Sequence, residues 1–133
     1  MRTRTKLVLA GLGVAATAGA VFGGIAVAAD PTNNVKAPYT QAAAAVGKDG
    51  TNVQRTNTVA STSRVGAGRY CVELVSDIDA AKAVPVATLS NAADWGSEVR
   101  VSRNHSSCPA NSIRVTTGTN GAAADQPFYL VVP

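Results

Sequence analysis

The sequence has few of the residues on which catalysis and metal binding usually depend. Its 133 residues include only two cysteines, one histidine and one tryptophan. It contains no GxSxG nucleophile turn, no phosphate-binding glycine loop and no closely spaced cysteine pair. These absences count against a serine hydrolase, a nucleotide-binding enzyme and a structural zinc domain.

Charge is missing from residues 7 to 29, a run that follows a basic head and ends before Asp30. A basic head, an apolar middle and small residues before a polar break are typical of a secretory signal peptide. We therefore predict a signal-peptide helix over residues 1–29, cleaved after Ala28 or Ala29, and a flexible lead-in over residues 30–38. The prediction for residues 39–133 is a single secreted domain.

The alternative for the uncharged run is an uncleaved membrane anchor, because a helix of this length can span about 30 Å of hydrocarbon. Eight of the 23 residues are alanine and five are glycine, a weakly apolar composition that favours cleavage. Contact with a membrane is therefore expected only if the segment stays uncleaved.

Cleavage would also remove most of the net charge. Three of the twelve basic residues precede position 30, so nine remain against eight acidic residues, a net charge of +1. Nucleic-acid binding needs a clustered basic face, and we do not predict it. Arg100 and Arg103 fit an ordinary solvated strand edge.

Alternation of apolar and polar residues predicts β-structure along the rest of the chain. In "GAGRYCVELV", Tyr70, Val72 and Leu74 share one face, and Arg69, Cys71 and Glu73 the other. The turn signal Asp49-Gly50 predicts a hairpin between Thr40–Val46 and Asn52–Ala60. Further predicted strands are Val84–Leu89, Ser97–Ser102, Ser112–Thr117 and Pro127–Val132.

Short strands at near-regular spacing predict an all-β fold, a single antiparallel β-sandwich. Such a domain of about 100 residues has a modest core. Because aromatic residues are few, we expect each to supply a large share of the burial. They are Tyr39, Tyr70, Trp95, Phe128 and Tyr129.

The two cysteines allow three interpretations: a nucleophile paired with His105, a zinc site with His105, or a disulfide between Cys71 and Cys108. Export to an oxidising compartment and a count of two favour the disulfide. The chain contains the residue types for a serine triad with His105 and Asp94, but it has no GxSxG nucleophile turn to support one. We predict no cofactor, no metal and no catalytic residue.

The segment "SDIDAAKA" has two carboxylates, Asp77 and Asp79, spaced like the start of a calcium loop. No third oxygen ligand and no closing glutamate follow at the required spacing. We interpret the segment as a turn or short helix that Asp77 caps.

The stretches "GRYCVEL", "SSCPANSIRVTT" and "DQPFYLVV" resemble a group of small exported actinobacterial β-domains. More distantly, "GAGRYCVEL" and the closing strand are similar to the tumour necrosis factor-like jelly roll of complement-type globular heads. The resemblance covers about residues 39 to 132. It implies a jelly-roll-like sandwich, a role in binding or surface structure, and a homotrimer.

The final strand "PFYLVVP" is apolar without alternation, which is typical of a strand covered on both faces. We predict that Phe128, Tyr129 and Val131 form an oligomer face, the alternative being a covering loop or the N-terminal lead-in packed over Tyr129 and Val131. The functional hypothesis is a secreted or cell-surface interaction module whose partner is an extracellular protein or surface polymer. The alternative is a secreted enzyme or enzyme inhibitor that uses the loop around His105 and Cys108.

Overall fold

The computed structural model describes residues 39 to 133, which form two antiparallel β-sheets and a short 3₁₀ helix, Ala80–Lys82. The strands are β1 (Ala42–Val46), β2 (Asn52–Arg55), β3 (Val59–Gly66), β4 (Arg69–Leu74), β5 (Val86–Leu89), β6 (Ser97–Arg103), β7 (Ser112–Thr119), β8 (Ala122–Ala123) and β9 (Phe128–Val132). The all-β prediction is confirmed for this part of the chain. The predicted signal helix, its cleavage positions and the lead-in lie outside the described residues.

The strands divide between two sheets. The first sheet has the order β2-β1-β9-β5, and the second has the order β3-β4-β7-β6 with β8 paired to β7. In the first sheet Ala44 lies opposite Leu130, and in the second Tyr70 lies opposite Val115. Within residues 39 to 133, no helix is long and apolar enough to cross a bilayer.

One hydrophobic core lies between the sheets and takes alternate residues from each. Its members include Ala42, Ala44, Val46, Leu130 and Val132 from the first sheet and Val72, Leu74, Ile113 and Val115 from the second. Tyr70 and Phe128, both fully buried, meet edge to face with ring centroids 5.1 Å apart. This contact joins β4 of one sheet to β9 of the other.

The expectation that every aromatic residue supplies burial is wrong for three of the five. Tyr39 is 96% exposed, Trp95 98% and Tyr129 49%. The core is instead completed by small aliphatic side chains. These three aromatic side chains therefore contribute much less to folding than Tyr70 and Phe128.

The alanine-rich segment forms a strand although alanine has high helix propensity. Strand β1 pairs with β2 on one side and with β9 on the other, so its backbone is bonded in the sheet. Ala42 and Ala44 point into the core. Tertiary pairing therefore decides the conformation of this segment.

The predicted partner strand Asn52–Ala60 was too long, because the chain changes sheets within it. Strand β2 ends at Arg55, and β3 begins at Val59 in the second sheet. Two hydroxyls hold the crossover. Thr56 Oγ1 accepts from the Ala43 N–H at 3.0 Å, and Thr58 Oγ1 donates to the Gln41 carbonyl at 2.7 Å.

Two turns show how local sequence fixes the chain. Gly68, between β3 and β4, has φ +64°, and a Cβ there would lie 2.2 Å from the Thr117 carbonyl oxygen. Only glycine fits such a position.

The predicted cap Asp77 was the wrong carboxylate: Asp79 caps the 3₁₀ helix, and its side chain accepts from the Ala81 N–H.

Candidate functional site

The cysteine pair forms a disulfide, as predicted. Cys71 on β4 and Cys108 in the loop after β6 are joined, with their Cα atoms 5.5 Å apart. The bond fastens residues 104–111 to the outer face of the second sheet, and Cys71 is 2% exposed. Neither sulfur is a thiol, so neither serves as a nucleophile or a thiolate metal ligand while the bond is intact.

His105 is held within the same loop. Its Nε2 accepts from Arg114 Nη1 at 2.6 Å, because an arginine can only donate. Its Nδ1 lies 2.9 Å from the Ser107 hydroxyl and 3.1 Å from the Ser107 backbone nitrogen. Nε2 thus ties the loop to β7, and Nδ1 contacts a residue of the loop itself.

Asp94, the third member of the hypothetical serine triad with His105, forms its hydrogen bond and ion pair with other side chains. Its Oδ2 accepts from Gln126 Nε2 at 2.9 Å and lies 3.7 Å from Lys48 Nζ. The hydrogen bond from Gln126 and the charge of Lys48 lower the pKa of Asp94. Among residues 39 to 133, no three His, Cys, Asp or Glu side chains are grouped to hold a metal ion.

The outer side of the first sheet carries two rows of small and apolar side chains, which we call the apolar face. One row is Ala43, Val131 and Val86, and the other is Ala45, Tyr129 and Thr88, each in register across β1, β9 and β5. Val86 is 58% exposed. None of the six carries a charge, and all of them except the buried Ala43 are at least partly exposed.

The final strand alternates in burial, contrary to the continuous apolar pattern of its sequence. Phe128 lies in the core and is fully buried, so it does not belong to the predicted oligomer face. Tyr129 and Val131 point to the opposite side because successive side chains of a strand alternate. Only these two of the three predicted residues lie on the apolar face.

The outer side of the second sheet is polar, and we call it the arginine face. Arg69, Thr116 and Arg100 form one row, and Cys71, Arg114 and Ser102 form the next. Arg100 pairs with Glu98 at 2.9 Å. The Nε of Arg114 is buried and has no hydrogen-bond partner within the described chain.

Arg100 and Arg103 lie on β6, which is an edge strand of this sheet, as predicted. The guanidinium of Arg103 donates to the carbonyls of Ala81 and Ala83, at 3.0 and 3.1 Å. Both arginines therefore have partners within the domain.

A carboxylate closes the turn between β3 and β4. Asp125 accepts from the Gly68 N–H at 2.6 Å and from Arg64 Nε at 2.8 Å. The hydrogen bond from Arg64 is the main cause that lowers the pKa of Asp125. Nearby, burial raises the pKa of Tyr70 to about 12, and its hydroxyl donates to the Lys48 carbonyl.

The loop from Ser90 to Gly96 displays Trp95 beside an open cavity of about 330 Å³. Sequence reasoning missed this feature because it assigned the tryptophan to the core. A signal was present in the polar, turn-forming neighbours of Trp95 in "SNAADWGS", which are typical of a surface loop.

Comparisons with protein-family models, with curated proteins and with solved structures find no match to this chain. Any functional conclusion therefore depends on the surfaces described above.

Proposed function

We propose that the chain is a secreted or cell-surface interaction module without catalytic activity, which assembles as a homotrimer through the apolar face. The observation that carries the proposal is the pair of uncharged rows centred on Tyr129 and Val131. A central strand with one face in the core and the other exposed leaves apolar area that association would bury.

The absence of charge on the apolar face favours a second copy of this chain as its occupant. Self-association brings identical surfaces together, and like charges near a symmetry axis would repel. A surface of alanine, valine, threonine and tyrosine avoids that repulsion. The number three comes from the resemblance to trimeric complement-type jelly rolls.

The jelly-roll order is part of the same proposal. The first and last described strands, β1 and β9, pair in the middle of the first sheet, which is compatible with a doubly folded Greek-key arrangement. The disulfide is compatible with an oxidising compartment and so with export.

Light scattering after size exclusion tests the assembly on protein purified from the culture medium. We expect a mass of three chains for the wild type and of one chain for Tyr129→Asp. Because Tyr129 is half exposed in the single chain, the variant should keep its circular-dichroism spectrum. A wild-type monomer at micromolar concentration would refute the trimer.

Val65→Asp is the matched control. Val65 lies on β3 of the second sheet and is 45% exposed, close to the exposure of Tyr129. The same charge placed away from the apolar face should leave the assembly intact. Dissociation by both variants would show a general effect of added charge.

His105→Ala separates this function from the alternative, an enzyme or inhibitor that uses the disulfide-bound loop. A module that binds through the apolar face should keep its mass and partners in this variant. Loss of a measured hydrolytic or inhibitory activity on His105→Ala would support the alternative.

A further inference from the structure

Trp95 is placed where it contributes almost nothing to folding. It is the only tryptophan of the chain and is 98% exposed, although tryptophan is usually highly buried in proteins. Small domains have small hydrophobic cores, and large aromatic side chains normally supply much of the area buried in them. An exposed indole in a chain with so few aromatics therefore indicates a use in recognition.

The loop that carries Trp95 is held by hydrogen bonds to residues packed against it. The buried Gln126 accepts from the Asp94 N–H at 3.1 Å and donates to the Asp94 carboxylate at 2.9 Å. On the far side, the Asn120 N–H donates to the Gly96 carbonyl at 3.0 Å. The residues on both sides of Trp95 are thus held in place, which reduces the entropy lost when a ligand binds.

The start of the loop is also held. The Ser90 hydroxyl accepts from the Ala92 N–H at 3.1 Å, and the Ser90 carbonyl accepts from the Ala93 N–H at 3.0 Å. Binding residues are commonly found on loops that a rigid scaffold positions in this way.

Polar groups beside Trp95 remain available for a ligand. The cavity is lined by Asn91, Asp94 and Ser97 as well as by the indole. Within the described chain, the Asn91 amide makes no hydrogen bond and Asp94 uses only Oδ2. A ligand in this cavity would therefore meet an amide, a carboxylate oxygen and an aromatic face together.

The charge of this site is already balanced. Lys48 Nζ lies 3.7 Å from Asp94 Oδ2, so the carboxylate has a cation beside it. An anion would be repelled by Asp94, and a cation would have to compete with Lys48. The balance favours a neutral ligand that offers hydroxyl groups.

We propose that Trp95, Asn91 and Asp94 bind a neutral saccharide. The face of an indole carries negative quadrupolar charge and attracts the C–H groups on one side of a pyranose ring. The ring hydroxyls would donate to Asp94 Oδ1 and exchange hydrogen bonds with the Asn91 amide. The cavity volume lies at the lower end of the ~300–1,000 Å³ that is usual for small-ligand sites. The proposal uses a site separate from the apolar face.

The single tryptophan makes the test direct, because all indole emission of the protein comes from Trp95. The secreted protein is titrated with laminarihexaose, maltohexaose, cellohexaose, hexa-N-acetylchitohexaose and mannohexaose. We expect a saturable blue shift with at least one of these neutral sugars. No shift with any of the five, or a response only to oligogalacturonate or choline, would overturn the proposal.

Calorimetry on variants then assigns the contacts. Trp95→Ala should weaken binding by roughly tenfold or more, because truncation of an aromatic anchor removes most of its contact. Trp95→Phe should keep part of the affinity, and Asn91→Ala should lose about threefold. Since Trp95 is exposed, its variants should melt with the wild type. Unchanged affinity in Trp95→Ala would refute the site.

Two crossed measurements separate this site from the proposed assembly. Trp95→Ala should keep the trimeric mass, and Tyr129→Asp should keep the saccharide affinity. A blue shift that follows protein concentration without sugar would instead place Trp95 at a contact between copies and would contradict saccharide binding there.

Discussion

The two sheets share one core, but the chemical character of their outer faces differs. The apolar face of the first sheet carries Tyr129, Val131 and Val86, of which Tyr129 is 49% and Val86 58% exposed. The arginine face of the second sheet carries Arg69, Arg100 and Arg114. The disulfide-bound loop 104–111 is fastened to this second face through Cys71.

This difference follows from the alternation of side chains along each strand, which places one set of residues in the core and the other set on the outer face. Both sheets need an inward row of apolar residues, and that requirement is satisfied by similar aliphatic side chains in each. The outward rows are not constrained by the core. Polar residues and a covalent tie on one side therefore serve the stability of the single domain, while the apolar residues on the other side are those through which we propose association.

The largest expected effect comes from removing the tie on the arginine face. Cys71→Ser with Cys108→Ser opens a loop with a sequence separation of 37, which should lower the free energy of unfolding by about 4 kcal/mol. For a domain of this size, the melting temperature should fall by more than about 10 °C. Calorimetry measures this change in melting temperature. Ser102→Ala, on the same face, is the control, and equal melting of both proteins would contradict a stabilising disulfide.

Asn111 provides the second tie of the same loop. Its amide nitrogen donates to the carbonyls of Leu74, Val75 and Ile78 at 2.9 to 3.1 Å, and its oxygen accepts from the Ala80 N–H. Its φ of +62° is also unfavourable for alanine. We expect Asn111→Ala to lower the unfolding free energy by about 3 kcal/mol, measured by urea denaturation.

Asn111→Gly isolates the side-chain hydrogen bonds, because glycine accepts a positive φ without strain. It should lose less stability than the alanine variant. If glycine were the more damaging substitution, the backbone conformation would not be part of the effect.

A smaller effect depends on pH at the turn that enters β4. The pKa of Asp125 is lowered below its ordinary value of 3.8, chiefly by the hydrogen bond from Arg64. A depressed folded pKa contributes stability above 3.8 and loses it as the pH falls through the folded pKa. Asp125→Asn should therefore flatten the acid limb of a plot of melting temperature against pH. Arg64→Met should flatten the same limb, and an unaltered limb in both variants would show that the pair contributes no pH dependence.

The sequence predicted those elements whose pattern is local. Strand β4 alternates within six residues, so its core face was correct, and the cysteine count predicted the disulfide. The break between β2 and β3 was missed because it depends on hydrogen bonds that the Thr56 hydroxyl accepts from Ala43 and the Thr58 hydroxyl donates to Gln41, more than ten residues earlier in the chain. Two-residue β8 has no pattern of its own.

The candidate sites were less predictable than the fold. Apolar composition alone does not say which residues of β9 face inward, so Phe128 was grouped with Tyr129. The loop that displays Trp95 is hydrogen-bonded through Asp94 to Gln126, which lies 32 residues after Asp94 in the chain. Contacts of this range leave no periodic signal in a single sequence.

The smallest expected effect on folding lies on the apolar face and sharpens the contrast with the disulfide. Tyr129→Thr replaces one residue that strands favour with another, which is β-branched, and removes a half-exposed ring. Because the ring lies outside the core, the unfolding free energy of the diluted single chain should change by no more than about 0.5 kcal/mol. The melting temperature of the wild type should rise with protein concentration, since assembly stabilises the folded state by mass action. The variant should melt at one temperature over the same concentrations. A wild type that melts independently of concentration would show that the apolar face does not associate. A large loss of stability in the diluted variant would show that Tyr129 supports the fold of the single chain.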